Sequence, residues 1–366
     1  MKKLLTMIGA AAVAVGANAD VVTNEVDGIK WQINIDTAKQ TATLGSGNGS
    51  TYNDKRAIPA GFSGNNLFIP SSFTVDGVDY KTTVIGGRGF YHIYMENAVV
   101  PESITSINTY GFVGCSQLKN LLFKGPVSVS DGQTFESIAF GTSTYPVFSS
   151  CSAVKFVVIG PNVKTSSSGN FTLPSSKNAT ILAPRRADNT SWQNLTSNTL
   201  AKKSNGELKD EADFDTVLFY GPDYDFDMTM GETAMTFYPK TETALTNIIS
   251  WASTFKSAFD MDTKIAITNR IEMSEGVQIT EAMLQNVTLE APPWYLTFAV
   301  KNQTQLNNVL AAVSADVPII IDIEGAGQEP DHRSRRTQGG NPREERLDIW
   351  QEAGRSHNNV LLTAKM

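Results

Sequence analysis

The hydrophobic residues of this chain recur in a fixed frame over its first half. In the segments Phe112–Phe123 and Phe148–Ile159, which start 36 residues apart, an aromatic residue is followed by a cysteine three positions later. Aliphatic residues then occupy the sixth and ninth positions after the aromatic residue in both segments. Repetition in one register predicts a solenoid, in which units stack on one another and present an extended binding surface.

The repeat unit is 22 to 24 residues long. Val84–Phe90 aligns with Ser106–Phe112 at an offset of 22 residues, and leucine-rich repeats have units of this length. The longer spacing before Phe148 is then one unit with an insertion at about 128–145. We expect the repeated positions to form buried ladders, in which each residue packs on its equivalent in the next unit. The ladder positions are Ile85, Phe90, Ile93, Ile107, Phe112, Cys115, Leu118, Leu121, Phe148, Cys151, Val154 and Val157.

The two cysteines occupy equivalent repeat positions, and two interpretations of them stay open. Cys115 and Cys151 could form a disulfide, which an exported protein can hold. They could instead be buried thiols that act as small apolar residues. The second interpretation is favoured because Ile93 occupies the same position in the preceding unit.

The N-terminus has the pattern of a secretory signal over residues 1–19. Two lysines precede a largely apolar run from Leu4 to Ala17, and Ala17-Asn18-Ala19 offers a small-residue cleavage site. The run is too short to span a bilayer, and no later segment reaches about 18 apolar residues. We therefore expect an exported protein, secreted or held at the cell surface, without a transmembrane segment.

The chain as a whole is predicted to be mainly β with short helices. Residues 20–83 are expected to form an N-terminal β-hairpin cap and the first repeat strand. Residues 84–200 follow as the leucine-rich repeat solenoid with its closing segment, and a polar linker occupies 201–213.

The remaining sequence predicts a second domain and a tail. Residues 214–330 contain strand-like apolar runs, and the apolar spacing over 243–259 indicates a helix. This pattern suits either an α+β or a β-helix-like domain. Residues 331–366 are rich in arginine and are expected to be a disordered tail, with a basic arm for an acidic partner as the alternative.

Composition and charge exclude several classes of function. The net charge of −7 comes with no basic stripe, so nucleic-acid binding is not expected. Three histidines and two cysteines leave little material for a zinc site, and no cofactor is expected. Asp223, Asp225 and Asp227 stand at alternate positions and are weak candidates for a calcium site, although a solvated acidic strand face is the favoured interpretation.

No catalytic residues can be named from the sequence. Retaining glycosidases need two carboxylates about 5 Å apart, and no spacing singles out such a pair. His92 lies within the repeat frame, where a structural or surface role is favoured over that of a triad base. The sequence therefore predicts that the protein is not an enzyme, with residues 214–330 left open.

Aromatic residues between the ladder positions are the better candidates for a binding surface. Tyr91, Tyr94 and Tyr110 are expected to face solvent, and Trp294 and Tyr295 form a second exposed pair. Such side chains give contact area at low entropic cost and suit protein and sugar partners alike. The alternative is ordinary packing over the edges of the coils.

The repeat frame resembles that of the BspA-like class of bacterial leucine-rich repeat proteins. Ile107–Leu121 carries the aromatic and cysteine positions of that frame, and Val99–Ile107 carries its proline part. The resemblance covers about residues 24–198. It implies adhesion or interaction at a bacterial cell surface, with an extracellular protein or glycan as partner and no cofactor. The alternative function is that of a carbohydrate-active β-helix enzyme in residues 214–330, which the repeats would present.

Overall fold

The structure, a computed structural model, covers most of the repeats and much of the second half. The residues that it describes are 20–45, 51–125, 137–140, 147–165, 171, 179–185, 191–192, 216–268, 271–274, 281–290, 296–300, 304–305, 307, 309, 319–323 and 359–362. The expected signal sequence, the linker at 201–213, and Trp294 and Tyr295 lie outside these residues. The chain divides into two compact units, Met1–Phe219 and Tyr220–Met366. Within the described part, no helix has the length and apolar content that a membrane span needs.

The first unit begins with three antiparallel strands, of which the second and third form the predicted hairpin. Three strands pair antiparallel in chain order: β1 (Asp20–Val26), β2 (Ile29–Asp36) and β3 (Thr41–Leu44). Asp27 and Gly28 have φ angles of 52° and 76°, and a two-residue turn of type I′ requires positive φ at both positions. Alternate residues of β2 are buried from Trp31 onward, so one face of the hairpin packs on the core.

From β6 (Val78–Ile85) to β13 (Thr180–Pro184), successive strands alternate between two sheets. The strands are β4 (Asn66–Phe68), β5 (Ser72–Val75), β6 (Val78–Ile85), β7 (Asn97–Val100), β8 (Ser106–Ile107), β9 (Asn120–Phe123), β10 (Ser137–Phe140), β11 (Phe156–Ile159), β12 (Lys164–Thr165), β13 (Thr180–Pro184) and β14 (Thr216–Tyr220). One sheet has the order β1-β2-β3-β6-β8-β10-β12, with β5 against β6, and the other has the order β4-β7-β9-β11-β13-β14. The pairs that join repeat units are parallel. This alternation agrees with the predicted solenoid.

An asparagine ladder marks the start of three strands in the second of these sheets. Asn66, Asn97 and Asn120 begin β4, β7 and β9 and stand opposite one another in the parallel register. The side-chain amide of Asn97 donates to the side-chain oxygen of Asn66 over 2.6 Å, and that of Asn120 donates to Asn97 over 2.6 Å. The ladder stops at β11, where Phe156 stands opposite Asn120.

A stack of aromatic rings runs through the core of the first unit. The ring centroids of Phe90 and Phe112 are 4.9 Å apart, and those of Phe112 and Phe148 are 5.3 Å apart. Both pairs are stacked with an interplanar angle of 22°. All twelve ladder positions named from the sequence are buried.

A tryptophan closes this stack at each end. The ring of Trp31, on β2 of the hairpin, lies 6.3 Å from that of Phe90 in an edge-to-face contact. At the other end, the ring of Trp192 lies 5.5 Å from that of Phe171, which in turn lies 5.4 Å from Phe148. Both indoles are fully buried, so each covers a phenylalanine ring that would otherwise face water.

In the part that the structure describes, the second unit contains two four-stranded sheets and a long helix, with further helical residues at 304, 305, 307 and 309. Its elements are β15 (Phe226–Met230), β16 (Ala234–Pro239), α1 (Glu242–Phe259), β17 (Asp262–Ala266), β18 (Ile271–Met273), β19 (Val287–Glu290), β20 (Leu296–Val300), β21 (Ile319–Ile323) and β22 (Asn359–Leu362), with a 3₁₀ helix at Glu281–Leu284. The sheets have the orders β15-β16-β17-β19 and β18-β20-β21-β22. The pairs β15–β16 and β21–β22 are antiparallel, and the inner pairs are parallel. The unit is therefore mainly β, with parallel strands that alternate between sheets from β17 to β20.

The helix α1 forms where the apolar spacing predicts it. Thr241 is its N-cap, and the Thr241 hydroxyl accepts a hydrogen bond from the Ala244 N–H over 3.2 Å. Asp260 ends the helix in the left-handed region, with φ of 52°. The buried face stacks the Phe255 ring on that of Phe237 at 5.6 Å, nearly parallel at 7°.

Two strands lie across the boundaries that the sequence suggests. β14 extends the repeat sheet beyond β13, whereas the sequence pattern places residues from 214 onward in the second domain. β22, at Asn359–Leu362, pairs with β21 and is the described part of the tail 331–366, for which the sequence predicts disorder. The physical reason is the same in both cases, because an open strand edge offers unpaired backbone groups that a short apolar segment can satisfy. Val217 and Phe219 of β14 also pack against the core of the repeats.

A candidate binding surface on the repeat array

The chain turns sharply before each of the first two stacked phenylalanines. Arg88 and Tyr110, which stand two residues before Phe90 and Phe112, both have φ of 61°. This left-handed region costs a non-glycine residue about 1–2 kcal/mol, so surrounding contacts must hold the residue there. One such contact is the hydrogen bond from the Phe90 N–H to the Gly111 carbonyl in the next coil, at 2.8 Å. Arg88 and Tyr110 therefore occupy equivalent positions on adjacent, fixed coils.

These two side chains belong to a group of five that we call the tyrosine–arginine cluster: Tyr52, Arg56, Arg88, Tyr91 and Tyr110. The guanidinium carbon of Arg88 lies 4.3 Å from the ring centroid of Tyr52 and 5.0 Å from that of Tyr110. The guanidinium carbon of Arg56 lies 5.7 Å from the ring of Tyr91. Tyr52 and Tyr91 meet edge to face at 5.4 Å. All three arginine contacts are within the range of cation–π attraction, so the five side chains hold one another in place.

The cluster is partly open to solvent. Tyr52 is 53% exposed, and the other four side chains are half-buried. A tyrosine that is packed on one side and wet on the other can meet a partner with both apolar ring and polar hydroxyl. Tyrosine and arginine are also the residue types that contribute most often to the energy of binding interfaces.

The cluster carries two positive charges that no described carboxylate neutralises. The ion pairs within the described ranges do not include Arg56 or Arg88. Asp54, an acidic neighbour of Arg56 in the sequence, accepts a hydrogen bond from the Thr51 N–H over 3.0 Å. The cation–π contacts therefore hold the two guanidinium groups beside the rings without using their N–H donors, although Nε of Arg56 is itself buried.

Of the tyrosines named from the sequence, the structure brings Tyr91 and Tyr110 into the cluster. Tyr94 is 55% exposed, and its ring contacts no other ring in the described part of the chain. His92 is exposed, and its ring lies 4.3 Å from that of Tyr91.

His92 packs over the backbone of the next coil. A Cβ atom on Gly114 would lie 2.5 Å from Cδ2 of the His92 ring, and Gly114 has φ of 72°. Glycine has no Cβ atom that would collide with the His92 ring, and it adopts a positive φ without steric cost. The imidazole thus fills the place that a side chain at 114 would occupy, which is a structural role.

Sequence reasoning missed Tyr52, Arg56 and Arg88. Tyr52 and Arg56 flank the 3₁₀ helix Asn53–Lys55, in a segment of the cap that has no periodic pattern. No sequence signal connects that segment with the repeats. Arg88 could have been found, because it occupies the repeat position of Tyr110 and stacking places equivalent residues side by side.

The two cysteines are free, buried thiols. The Cys115 thiol donates to the Phe90 carbonyl over 3.0 Å, and the Cys151 thiol donates to the Phe112 carbonyl over 3.1 Å. Burial raises the pKa of the Cys115 thiol, and hydrogen bonding with the Cys151 side chain raises it further. A thiol that stays protonated is a poor nucleophile, so Cys115 serves the core, and Cys151 is fully buried beside it in the ladder.

The acidic triplet does not share one strand face. Asp223 and Asp225 are exposed in the turn before β15, and only Asp227 lies on the strand. The Asp227 carboxylate accepts a hydrogen bond from the Met228 N–H over 2.8 Å. Over the residues described by the structure, no group of three His, Cys, Asp or Glu side chains is placed to hold a metal ion.

Several solved structures resemble this chain at low identity. A leucine-rich repeat protein from Bacteroides capillosus ATCC 29799 is 23% identical with a TM-score of 0.30, over 43% of this chain and 96% of that one. A leucine-rich cell surface protein from Faecalibacterium prausnitzii A2-165 is 14% identical with a TM-score of 0.25, over 79% of this chain and 98% of that one. The pneumococcal vaccine antigen PcpA is 15% identical with a TM-score of 0.21, over 79% and 96% respectively.

The family of the repeats is given by a sequence match. A comparison with curated proteins yields no significant match. The family model of the BspA type leucine-rich repeat region matches six copies over residues 83–197. This range contains the aromatic and cysteine ladders and the parallel strands from β7 to β13. Residues 83–197 are therefore a BspA-type leucine-rich repeat region.

Proposed function

We propose that this protein is a non-catalytic, exported interaction module that acts at or near a bacterial cell surface. Its partner is an extracellular protein or glycan, and the tyrosine–arginine cluster is the contact surface. The observation that carries the proposal is the packing of Arg88 over two tyrosine rings, at 4.3 Å and 5.0 Å, on a half-exposed surface. Side chains fixed in this way lose little further entropy when a partner binds.

The test compares two sets of tyrosine substitutions in the mature chain on an array of glycans and matrix proteins. In the first variant, Tyr52, Tyr91 and Tyr110 are all replaced by serine. We expect it to lose retention by more than about tenfold, because truncating one hot-spot side chain typically costs above about 1–2 kcal/mol. The matched control is Tyr94→Ser, which removes a tyrosine of similar exposure, 55% against 53% for Tyr52.

The control variant should bind as the wild type does. Circular dichroism must show the same spectrum and melting temperature for the variants and the wild type, so that any loss reports the surface. If the folded triple variant is retained as well as the wild type, the cluster is not the contact surface.

The alternative, a carbohydrate-active enzyme in residues 214–330, predicts carboxylates gathered in a groove. Asp223 and Asp225 instead lie exposed in a turn. No observation on the described residues favours the enzyme, and we do not propose it.

A further inference from the structure

Arg88 is the arginine that contacts two tyrosine rings of the cluster, and the N–H donors of its guanidinium are unused within the described residues. A guanidinium group has five N–H donors in one plane. Within the described residues, the Arg88 guanidinium contacts the rings of Tyr52 and Tyr110 but takes part in no hydrogen bond or ion pair; the Arg88 carbonyl accepts a hydrogen bond from the Tyr91 N–H over 3.0 Å. A fixed guanidinium with unused donors is complementary to a carboxylate, which can accept two parallel N–H···O bonds.

Arg56 strengthens this complementarity. Its guanidinium carbon is 5.7 Å from the Tyr91 ring, which contacts the Tyr52 ring at 5.4 Å. Two guanidinium groups thus share one network of rings on a chain whose net charge is −7. At short range, this local positive site attracts an anionic group. The more distant negative charges of the chain repel that group only weakly, because salt screens charges beyond about 8–10 Å.

The size of the cluster indicates the kind of molecule that carries the carboxylate. A stable protein interface needs roughly 800 Å² from each partner, and five side chains that are mostly half-buried offer much less. Two tyrosine rings whose centroids lie 5.4 Å apart, as those of Tyr52 and Tyr91 do, can cover the apolar face of one sugar ring. The tyrosine hydroxyls and the guanidinium N–H groups can then meet the polar groups of the sugar. A single acidic sugar residue fits this combination better than an acidic peptide segment does.

We propose that the tyrosine–arginine cluster binds a carboxylate-bearing sugar residue of an acidic glycan, and that Arg88 receives the carboxylate. This inference rests on the proposed function and specifies its ligand. The ring contacts hold the guanidinium ready, and the carboxylate completes its hydrogen bonding.

The experiment uses the mature full-length chain and measures binding to oligogalacturonate and to α2,8-linked oligosialic acid by titration calorimetry. The same oligomers with their carboxyl groups reduced to alcohols serve as neutral counterparts. We expect reduction to weaken binding by about tenfold or more, because hydrogen bonds to a charged group are roughly twice as strong as neutral ones. Arg88→Gln should cause a similar loss, and Arg88→Lys a partial loss, since lysine keeps the charge but not the bidentate geometry.

The matched control is Arg185→Gln, because the Arg185 guanidinium carbon lies 5.0 Å from the Phe219 ring outside the cluster. It should leave binding unchanged. Three outcomes would overturn the inference: neither acidic oligomer binds, the reduced oligomers bind equally well, or polyglutamate binds as tightly as the acidic sugars. If array binding to neutral glycans or proteins nevertheless depends on Tyr52, Tyr91 and Tyr110, the proposed function stands and only its acidic-sugar ligand fails.

Discussion

Phe112 shows how single residues hold neighbouring coils together. Its ring is stacked against those of Phe90 and Phe148, and its carbonyl accepts the thiol proton of Cys151. The aromatic and cysteine positions of the frame are therefore parts of one contact, in which each coil supplies a ring and an acceptor to the next. Cysteine suits this position because it is small and apolar and still carries a weak donor.

Phe112→Ala should lower the free energy of unfolding by about 3–5 kcal/mol, the usual cost of deleting a buried phenylalanine ring. Phe68→Ala removes a ring that is 44% exposed on β4 and should cost less than about 1 kcal/mol. Urea denaturation followed by circular dichroism measures both variants. Equal costs for the two substitutions would contradict the role of Phe112 in the stack.

At the scale of elements, the asparagine ladder adds side-chain hydrogen bonds to the parallel pairing of β4, β7 and β9. Asn97 is the central member, since it donates to Asn66 and accepts from Asn120. Only 8% of its surface is exposed, so water cannot readily replace these bonds.

Asn97→Ala should destabilise the first unit by about 1–3 kcal/mol, because it removes two hydrogen bonds that each contribute about 0.5–1.5 kcal/mol. Asn120→Ala removes one of the two ladder bonds and should cost less. The same urea titration measures the loss of unfolding free energy in each of the two variants. A larger cost for Asn120→Ala than for Asn97→Ala would show that the ladder is not the source of the stability.

At the scale of the whole molecule, each compact unit has its own apolar contacts. The large core cluster of the repeats is built from residues between Trp31 and Trp192, together with flanking groups up to Phe219. In the second unit, Phe255 of α1 stacks on Phe237 at 5.6 Å and approaches Phe259 at 6.4 Å. We therefore expect each unit to undergo local unfolding independently of the other.

Phe255→Ala should therefore raise amide hydrogen exchange in β16, α1 and β17 while the repeat strands β7, β9 and β11 stay protected. The loss of a buried ring weakens its own unit by about 3–5 kcal/mol. Ser253→Ala, on the exposed face of the same helix, is the control and should change neither region. Increased exchange in the repeat strands of Phe255→Ala would mean that the two units open as one.

The repeat ladders and α1 could be predicted from the sequence because the spacing of their apolar residues follows directly from which side chains are buried. Phe90, Phe112 and Phe148 share one register, and the register alone brings their rings together. By contrast, β14 and β22 depend on which strand edge lies nearby, and short apolar segments do not encode that. The cluster is intermediate: the repeat places Tyr91 and Tyr110, whereas Tyr52 reaches them through the path of the cap.

The distance between stacked rings does not depend on the length of chain between them. Phe90 and Phe112 are separated by 22 residues and Phe112 and Phe148 by 36, yet the ring centroids are 4.9 Å and 5.3 Å apart. Strand β10, which lies between Phe112 and Phe148 in the chain, pairs with β8 in the sheet, so the longer unit still supplies a strand to the array. In evolutionary terms, such an array can acquire loops, or whole coils by duplication, while the two tryptophans continue to seal its ends. The surface that it displays can diversify quickly because the residues that hold it together need not change.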